Sequence, residues 1–280
     1  ESKVIDESNS LQMIKSIDMP REQVASKFDV ELSLGRKNDG GYLVPKKSLA
    51  KTKIVFGFGL GDDWSFEEDF KRLSGAKIIC FDRSVNLRFW FTRFCWDIIH
   101  LLLLKKKTID DFKRFITYFK YRLFFNGIDV IHEKKVIAPA NQIIYGIDKS
   151  EITDLNQILL GKGYSNFFLK VDIEQHEYRI LDQIIKHQSR ITGLVIEFHD
   201  CDHHFEKIKK FINELELQLV HIHINNYGIV NEFDISTVIE LTFSPQSYNT
   251  IRDNNDNKFP LNGLDQPNNK LKKDEPIIFV

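Results

Sequence analysis

The chain has 280 residues, 42% of them hydrophobic, and a net charge of -1. That length accommodates one large α/β domain or two small ones with a sizeable core, and the balanced charge excludes a general nucleic-acid binder, whose footprint is strongly basic. The average hides an asymmetry: residues 83–125 carry ten Lys or Arg against three Asp, a balance of +7 that leaves -8 for the rest.

Cys80, Cys95 and Cys201 are odd in number, widely spaced and without a metal-ligand pattern, so they read as free thiols in a reducing cytoplasm. The opening ESKVIDESNS has no apolar stretch of the kind that directs export. The greasiest run, Val85 to Leu104, contains Arg88, Arg93, Asp97 and His100, too many charges for an ordinary spanning helix. A cytoplasmic location is the expectation.

In chain order, residues 1–35 read as an N-terminal helical segment, with Leu11, Ile14 and Ile17 at helical spacing. The boundary with the unit from 36 to 280 falls in LGRKNDGGYLVP, turn chemistry before a short strand, where Gly40-Gly41 permits close backbone approach. Four apolar runs follow, at 53–59, 77–82, 167–174 and 193–199, and read as buried parallel strands. Helical patterns separate them, including SFEEDFKRL, where Ser65 and Glu68 predict a capping box, and EYRILDQIIKH at 177–187. Strand then helix, repeated, predicts a doubly wound α/β sheet. Runs at 218–225 and 238–243 read as two further strands, antiparallel because the loop between them is too short for a crossover helix.

Ligands of such sheets bind beyond the carboxyl ends of the strands. The first of those ends reads VFGFGLGDDWSFE, with Gly57, Gly59 and Gly61 in a G-x-G-x-G pattern. Asp82 follows Gly61 by 21 residues, close to the ~20 at which an acid takes ribose hydroxyls. Charge then separates the cofactors. A pyrophosphate here would face Asp62 and Asp63, at roughly 4 kcal/mol per contact for ~4 Å and an effective dielectric of ~20. S-adenosylmethionine carries a sulfonium and an ammonium instead, so the acids favour it. A plain glycine turn with solvated acids at a helix N-terminus is the alternative.

The motifs NDGGYLVP, GFGLGDDWSFE, FFLKVDIEQHEYRIL and VIEFHD, in that order, resemble the FkbM-like S-adenosylmethionine-dependent methyltransferases over roughly residues 36–245. The resemblance implies a Rossmann-like class I methyltransferase sheet, mostly parallel with an antiparallel last strand, and methylation of hydroxyls on sugars or natural products. It implies that Gly57, Gly59, Gly61 and Asp82 hold the cofactor, with Asp62, Asp39 and Tyr42 nearby. Two features depart from the family. Gln175-His176 stands where Gly-Ala usually follows the DIE acid, and a helical insertion at 83–125 follows the second strand.

Methyl transfer needs alignment, exclusion of water and removal of the acceptor's proton. His199 is the expected base by residue type, with Asp172, Glu174 and Glu197 to orient it or to bind acceptor hydroxyls. The bland reading of Glu197 and His199 is a hydrogen bond closing the sheet edge. A divalent metal is the less favoured use of these groups, with Asp172, Glu197, His199 and His223 as candidate ligands and His221, Asp200 and His203 able to converge.

The insertion pairs an apolar stripe, Phe112, Phe115, Ile116, Phe119 and Leu123, with Lys113, Arg114 and Lys120. It reads either as a lid over the sheet or as a helix on an anionic membrane surface, peripheral at the inner face of the cell membrane. The first expectation is thus an O-methyltransferase acting on a saccharide or lipid-linked saccharide. A nicotinamide oxidoreductase and a non-catalytic docking module are the alternatives. The C-terminal LDQPNN, with Asp265 and Asn268, either closes over the site or is surface loop.

Overall fold

The computed structural model describes residues 31–104, 113–229, 236–248, 258–274 and 277–278. Strands β1 (Glu31–Leu34) and β2 (Tyr42–Pro45) form an antiparallel hairpin whose turn contains Gly35 and Gly40 at positive φ, and α1 (Lys46–Lys51) follows. Residues 31–34 are therefore strand, although the helical segment was expected to run to 35. Leu32 and Leu34 both pack on the core, at a period of two. The rest of that segment, 1–30, lies outside the described residues.

The chain continues through β3 (Ile54–Phe58), α2 (Ser65–Ser74) and β4 (Lys77–Phe81), then the insertion helices α3 (Leu87–Leu104) and α4 (Lys113–Phe124). Next come β5 (Val130–Glu133), the small pair β6 (Val136–Ile137) and β7 (Ile152–Thr153), α5 (Leu155–Leu159) and β8 (Phe167–Val171). The second half holds α6 (Leu181–His187), β9 (Ile191–His199), α7 (Cys201–Glu214), β10 (Leu217–Ile224) and β11 (Val238–Pro245). A last two-stranded pair joins β12 (Lys258–Phe259) to β13 (Ile277–Ile278).

Seven strands make one sheet in the order β10-β11-β9-β8-β3-β4-β5. Neighbours from β9 to β5 run parallel, and β11 is antiparallel to both β9 and β10. This is the Rossmann-like class I methyltransferase sheet, with the reversed strand in place. Edge strand β5 was not expected: VIHE is short, and its His132 and Glu133 break the apolar run that marks a buried strand.

Alternation along the strands builds two cores. Ile54, Phe56 and Phe58 face one side with Leu169, Val171, Ile196 and Phe198, against α5, α6 and α7. Val55, Ile78, Cys80, Phe168 and Val195 face the other, against the hairpin, α2 and Trp90 and Tyr121 of the insertion. Each fully buried phenylalanine contributes roughly 1.5–3 kcal/mol, and Phe56, Phe58, Phe66, Phe70, Phe167, Phe168, Phe198, Phe211 and Phe243 are among those under 2% exposed. Most of the fold energy therefore lies in the sheet sandwich, which holds the strand ends still.

One local expectation is corrected. The capping box does not form, because Ser65 is already helical and its hydroxyl has no partner; Asp63 Oδ1 instead accepts the Ser65 N–H at 3.0 Å. In α4 the described part of the stripe is turned outward, with Leu123 81% exposed and Ile116 and Phe119 also open, while Tyr118 and Tyr121 pack on Trp90. Tyr121 wins the inner face because its hydroxyl has a partner there, His132 Nδ1 at 2.6 Å. Among the described residues no helix is long and apolar enough to cross a membrane.

Candidate active site

The chain leaves β3 toward β4 on one side and returns through β8 on the other, so β3/β8 is the topological switch point where a ligand crevice opens. A cleft of about 740 Å³ lies there. Gly59, Gly61, Asp62, Asp82, Asp172, Glu174, Glu197 and His199 line it, as the strand ends predict, and so does Asp39 of the hairpin turn. Gly57, Tyr42 and His223 do not line it.

Gly57 sits inside β3, and its missing Cβ is what leaves room for Glu67 Oε1, 2.8 Å from where that Cβ would be, and for Cys80 Sγ at 3.2 Å. It is a packing glycine. Gly57→Ala is expected to cost about 1–3 kcal/mol by overpacking, with the cleft surface unchanged, and urea unfolding beside a cofactor titration checks both halves. Gly59 is different: at φ +84° its Cβ would fall 1.6 Å from the Asp172 carbonyl oxygen. Two strand ends touch there, and only glycine permits it.

Asp82 stands at the end of β4, as its spacing from Gly61 predicts, but its oxygens are already engaged. Oδ2 accepts the Leu60 and Gly61 N–H groups at 2.9 and 3.0 Å, and Oδ1 accepts the Ser84 N–H and hydroxyl at 2.7 and 2.6 Å. Burial alone would raise its pKa; the Ser84 hydroxyl and the backbone donors outweigh this and lower it. A ribose diol would have to exchange with one of these donors, since a carboxylate offers about four acceptor positions.

The acids after the turn are not free. Asp62 pairs with Arg93 of the insertion and Asp63 with Arg36 of the hairpin turn, both at 3.2 Å. These partners, half-exposed, reduce the repulsion that a pyrophosphate would meet.

Two further groups decide the electrostatics, and the strand pattern flagged neither of them. Lys170, buried within β8, stands 3.8 Å from both Glu67 and Asp172. Burial alone would lower its pKa, but the two carboxylates raise it, so it stays charged. Glu67 is wholly buried, its oxygens lack a hydrogen-bond donor, and burial pushes its carboxyl up despite Lys170. Glu197 accepts hydrogen bonds from the Tyr42 hydroxyl at 3.2 Å and the Asn225 amide at 3.0 Å. Burial, with Asp172 and Glu240 beside it, pushes Glu197 well above the usual range. A lysine in the middle of FFLKVDIE is the one sequence signal that could have found this network.

His199 sits among carboxylates. Its Nδ1 is 3.0 Å from Glu177 Oε1, and its Nε2 is 3.4 Å from Glu174 Oε2 and 3.5 Å from Glu197 Oε1. Burial alone would lower its pKa; Glu177 first, then the other carboxylates, carry it to about 9. At neutral pH the ring holds its proton, the wrong state for the general base expected of it. Asp172 and Glu174 do come together with His199, one ligand atom of each within 4.8 Å of the others. The strand pleat is not the cause, because β8 ends at Val171 and Glu174 and Gln175 turn back at φ +50° and +74°.

The other histidines lie elsewhere. His223 has both ring nitrogens engaged, Nδ1 with Glu240 at 3.2 Å and Nε2 with Asp274 at 2.9 Å, so it is no free metal ligand. His221 Nε2 pairs with Asp265 at 3.0 Å. His203 is on the exposed side of α7, and neither it nor Asp200 lines the cleft. Residues 258–274 form a strap docked on β10 and β11 through these pairs and through Asn268, whose amide donates to Glu240 at 2.7 Å. Among the described residues no strap residue lines the cleft, and the amide of Asn268 donates to Asp39, which does, at 3.5 Å.

No protein-family model matches the chain, and no curated protein matches it. Among solved structures it is similar to the METTL16 methyltransferase domain, at 7% identity and TM-score 0.39 over 87% of this chain and 82% of that one. A dimethyladenosine transferase from Plasmodium falciparum matches at 12% identity and TM-score 0.35, over 71% of this chain and 58% of that one. M. jannaschii TYW2, solved with AdoMet, matches at 10% identity and TM-score 0.31, over 87% and 79%. Likeness at this level carries nothing about substrate. The strand order itself defines the class: an α/β chain with the sheet of the class I methyltransferases.

Proposed function

We propose that the protein is an S-adenosylmethionine-dependent O-methyltransferase acting on a hydroxyl of a saccharide or lipid-linked saccharide. The observation that carries this reading is the acid surplus of the cleft at the switch point. Asp39, Asp62, Asp63, Asp82, Asp172, Glu174 and Glu197 line it, against Arg36, Arg83, Lys135, Lys170 and the protonated His199. A cationic sulfonium is attracted there, and the Gly59–Gly61 turn gives its nucleoside close backbone approach. When bound, the cofactor supplies an electrophilic methyl group; the protein's part is to align the acceptor and keep water out. Glu174 and Asp172 face the cleft as acceptors for substrate hydroxyls, and Lys170 holds Asp172 in place.

Isothermal titration tests the cofactor. Micromolar S-adenosylmethionine binding with no response to NAD is the expected result, and binding of NAD alone would overturn it. A nicotinamide oxidoreductase is the second reading because Arg36 and Arg93 neutralise two of the acids. The acceptor is tested by mass spectrometry of glycans from cells with and without the protein, where one added methylene per acceptor is expected.

The outward face of the insertion supports peripheral attachment to an anionic membrane. Phe91, Trp96, Phe119 and Leu123 are exposed beside Arg88, Lys120 and Arg122. Liposomes containing anionic lipid are expected to carry the protein upward on flotation at low salt and to release it at high salt. Phe91→Ser with Leu123→Ser should abolish this, and equal flotation of that variant would count against the insertion as the contact.

A further inference from the structure

From the Asp172, Glu174 and His199 geometry we infer a site for a hard divalent cation, Mn²⁺ or Mg²⁺, at the mouth of the cleft beside the end of β8. Three side chains of two adjacent chain segments each offer one ligand atom within 4.8 Å of the others. The donor set, two carboxylates and one imidazole, suits such an ion.

The separations fit an ion better than they fit direct pairing. Charge-assisted N–H···O bonds run about 2.7–2.9 Å, whereas His199 Nε2 stands 3.4 Å from Glu174 Oε2. Two ligands at about 2.1 Å on adjacent corners of an octahedron lie about 3 Å apart. The atoms are therefore spaced with room for something between them.

A second observation comes from behind the ring. Glu177, fully buried, holds His199 Nδ1 at 3.0 Å and also accepts the Ile173 N–H at 3.2 Å. This carboxylate fixes the ring so that Nε2 is the nitrogen aimed at Glu174. Ligating histidines characteristically have such a carboxylate on the other nitrogen, with tenfold to hundredfold losses in affinity when it is removed. Lys170, the nearest buried ammonium, is held at 3.8 Å by Glu67 and Asp172, so the charge facing Glu174 is the His199 ring proton, which the ion would displace from Nε2 on binding.

Glu174 is mostly exposed, so the site keeps coordination positions open toward the cleft, where an acceptor hydroxyl would bind the ion. That last step rests on the methyl-transfer reading; the cation site itself does not.

Mn²⁺ titration followed by electron paramagnetic resonance tests it on the full chain without cofactor. One saturable site is expected, weakened at least tenfold by Glu174→Gln and tenfold to hundredfold by Glu177→Gln, and unchanged by His203→Ala. Circular dichroism confirms that each variant is folded; exposed Glu174 gives the cleanest comparison should Glu177→Gln fail to fold. Absence of saturation below about 1 mM, or equal affinity in Glu174→Gln, would overturn the site. S-adenosylmethionine binding is measured separately in metal-free samples. Mn²⁺ binding without cofactor binding would leave the cation site standing and refute methyl transfer, and the converse would do the opposite.

Discussion

Gly59→Ala is expected to remove more than about 3 kcal/mol of stability, a large share of the 5–15 kcal/mol that holds an ordinary domain folded. The new Cβ would fall 1.6 Å from the Asp172 carbonyl oxygen and 2.7 Å from its carbonyl carbon. Backbone on both sides is anchored: Gly59 N–H donates to the Phe81 carbonyl at 3.1 Å, and Asp172 N–H donates to the Phe58 carbonyl at 2.9 Å. Neither segment yields without breaking the β3–β4 or β3–β8 ladder. Gly61, in the same motif, provides the internal comparison. It has φ +55° and nothing within 4 Å of its would-be Cβ, so Gly61→Ala carries only the left-handed penalty, about 1–2 kcal/mol. Chemical denaturation of the two variants side by side should separate them severalfold. Equal losses would mean that the contact between the ends of β3 and β8 is not what fixes the cleft.

These two glycines also show how far the sequence could be read. The motif marks a turn at a strand end, but three glycines in G-x-G-x-G have three different duties: Gly57 clears Glu67, Gly59 clears Asp172, and Gly61 supplies a left-handed turn. Only long-range contacts distinguish them. The strand ends were legible because burial imposes apolar runs, so Asp82, Asp172, Glu197 and His199 fall where the runs stop. Charge partners were not, because Arg36 and Arg93 reach Asp63 and Asp62 from a hairpin and an insertion that no local pattern connects to the turn. His199 fails as a neutral imidazole for the same reason: Glu177, Glu174 and Glu197 converge on it only once β8 and β9 are paired and the intervening turn reverses. In α4 the helical period was legible and the inner face was not, since aromatic residues occupy both sides and the Tyr121–His132 hydrogen bond selects between them.

The C-terminal strap should loosen as pH rises. His223 is held between Glu240 at 3.2 Å and Asp274 at 2.9 Å, with His221 stacked 6.3 Å away and paired to Asp265. Burial alone would lower its pKa, but Asp274 and Glu240 hold it at about 10. In the unfolded chain the ordinary value of about 6.5 applies. The folded state thus binds the proton more tightly, so the stabilisation is complete below about 6.5 and is lost as pH climbs through about 10. The interval corresponds to at most on the order of 5 kcal/mol, because deprotonation leaves two carboxylates facing a neutral ring. His223→Asn should accordingly lower stability strongly at pH 6 and have little effect above pH ~10, measured as the difference between denaturant midpoints of parent and variant across that range. Taking the difference cancels the lysines and tyrosines that also titrate there. Hydrogen exchange locates the change: in the variant, protection should fall first in 258–274, whose contacts to Glu240 and Asn226 come through Asn268 and Asn269. A variant-to-parent difference that stays constant from pH 6 to 10 would show that the proton on His223 does not hold the strap, and that Asn268 and Asn226 hold it by neutral hydrogen bonds alone.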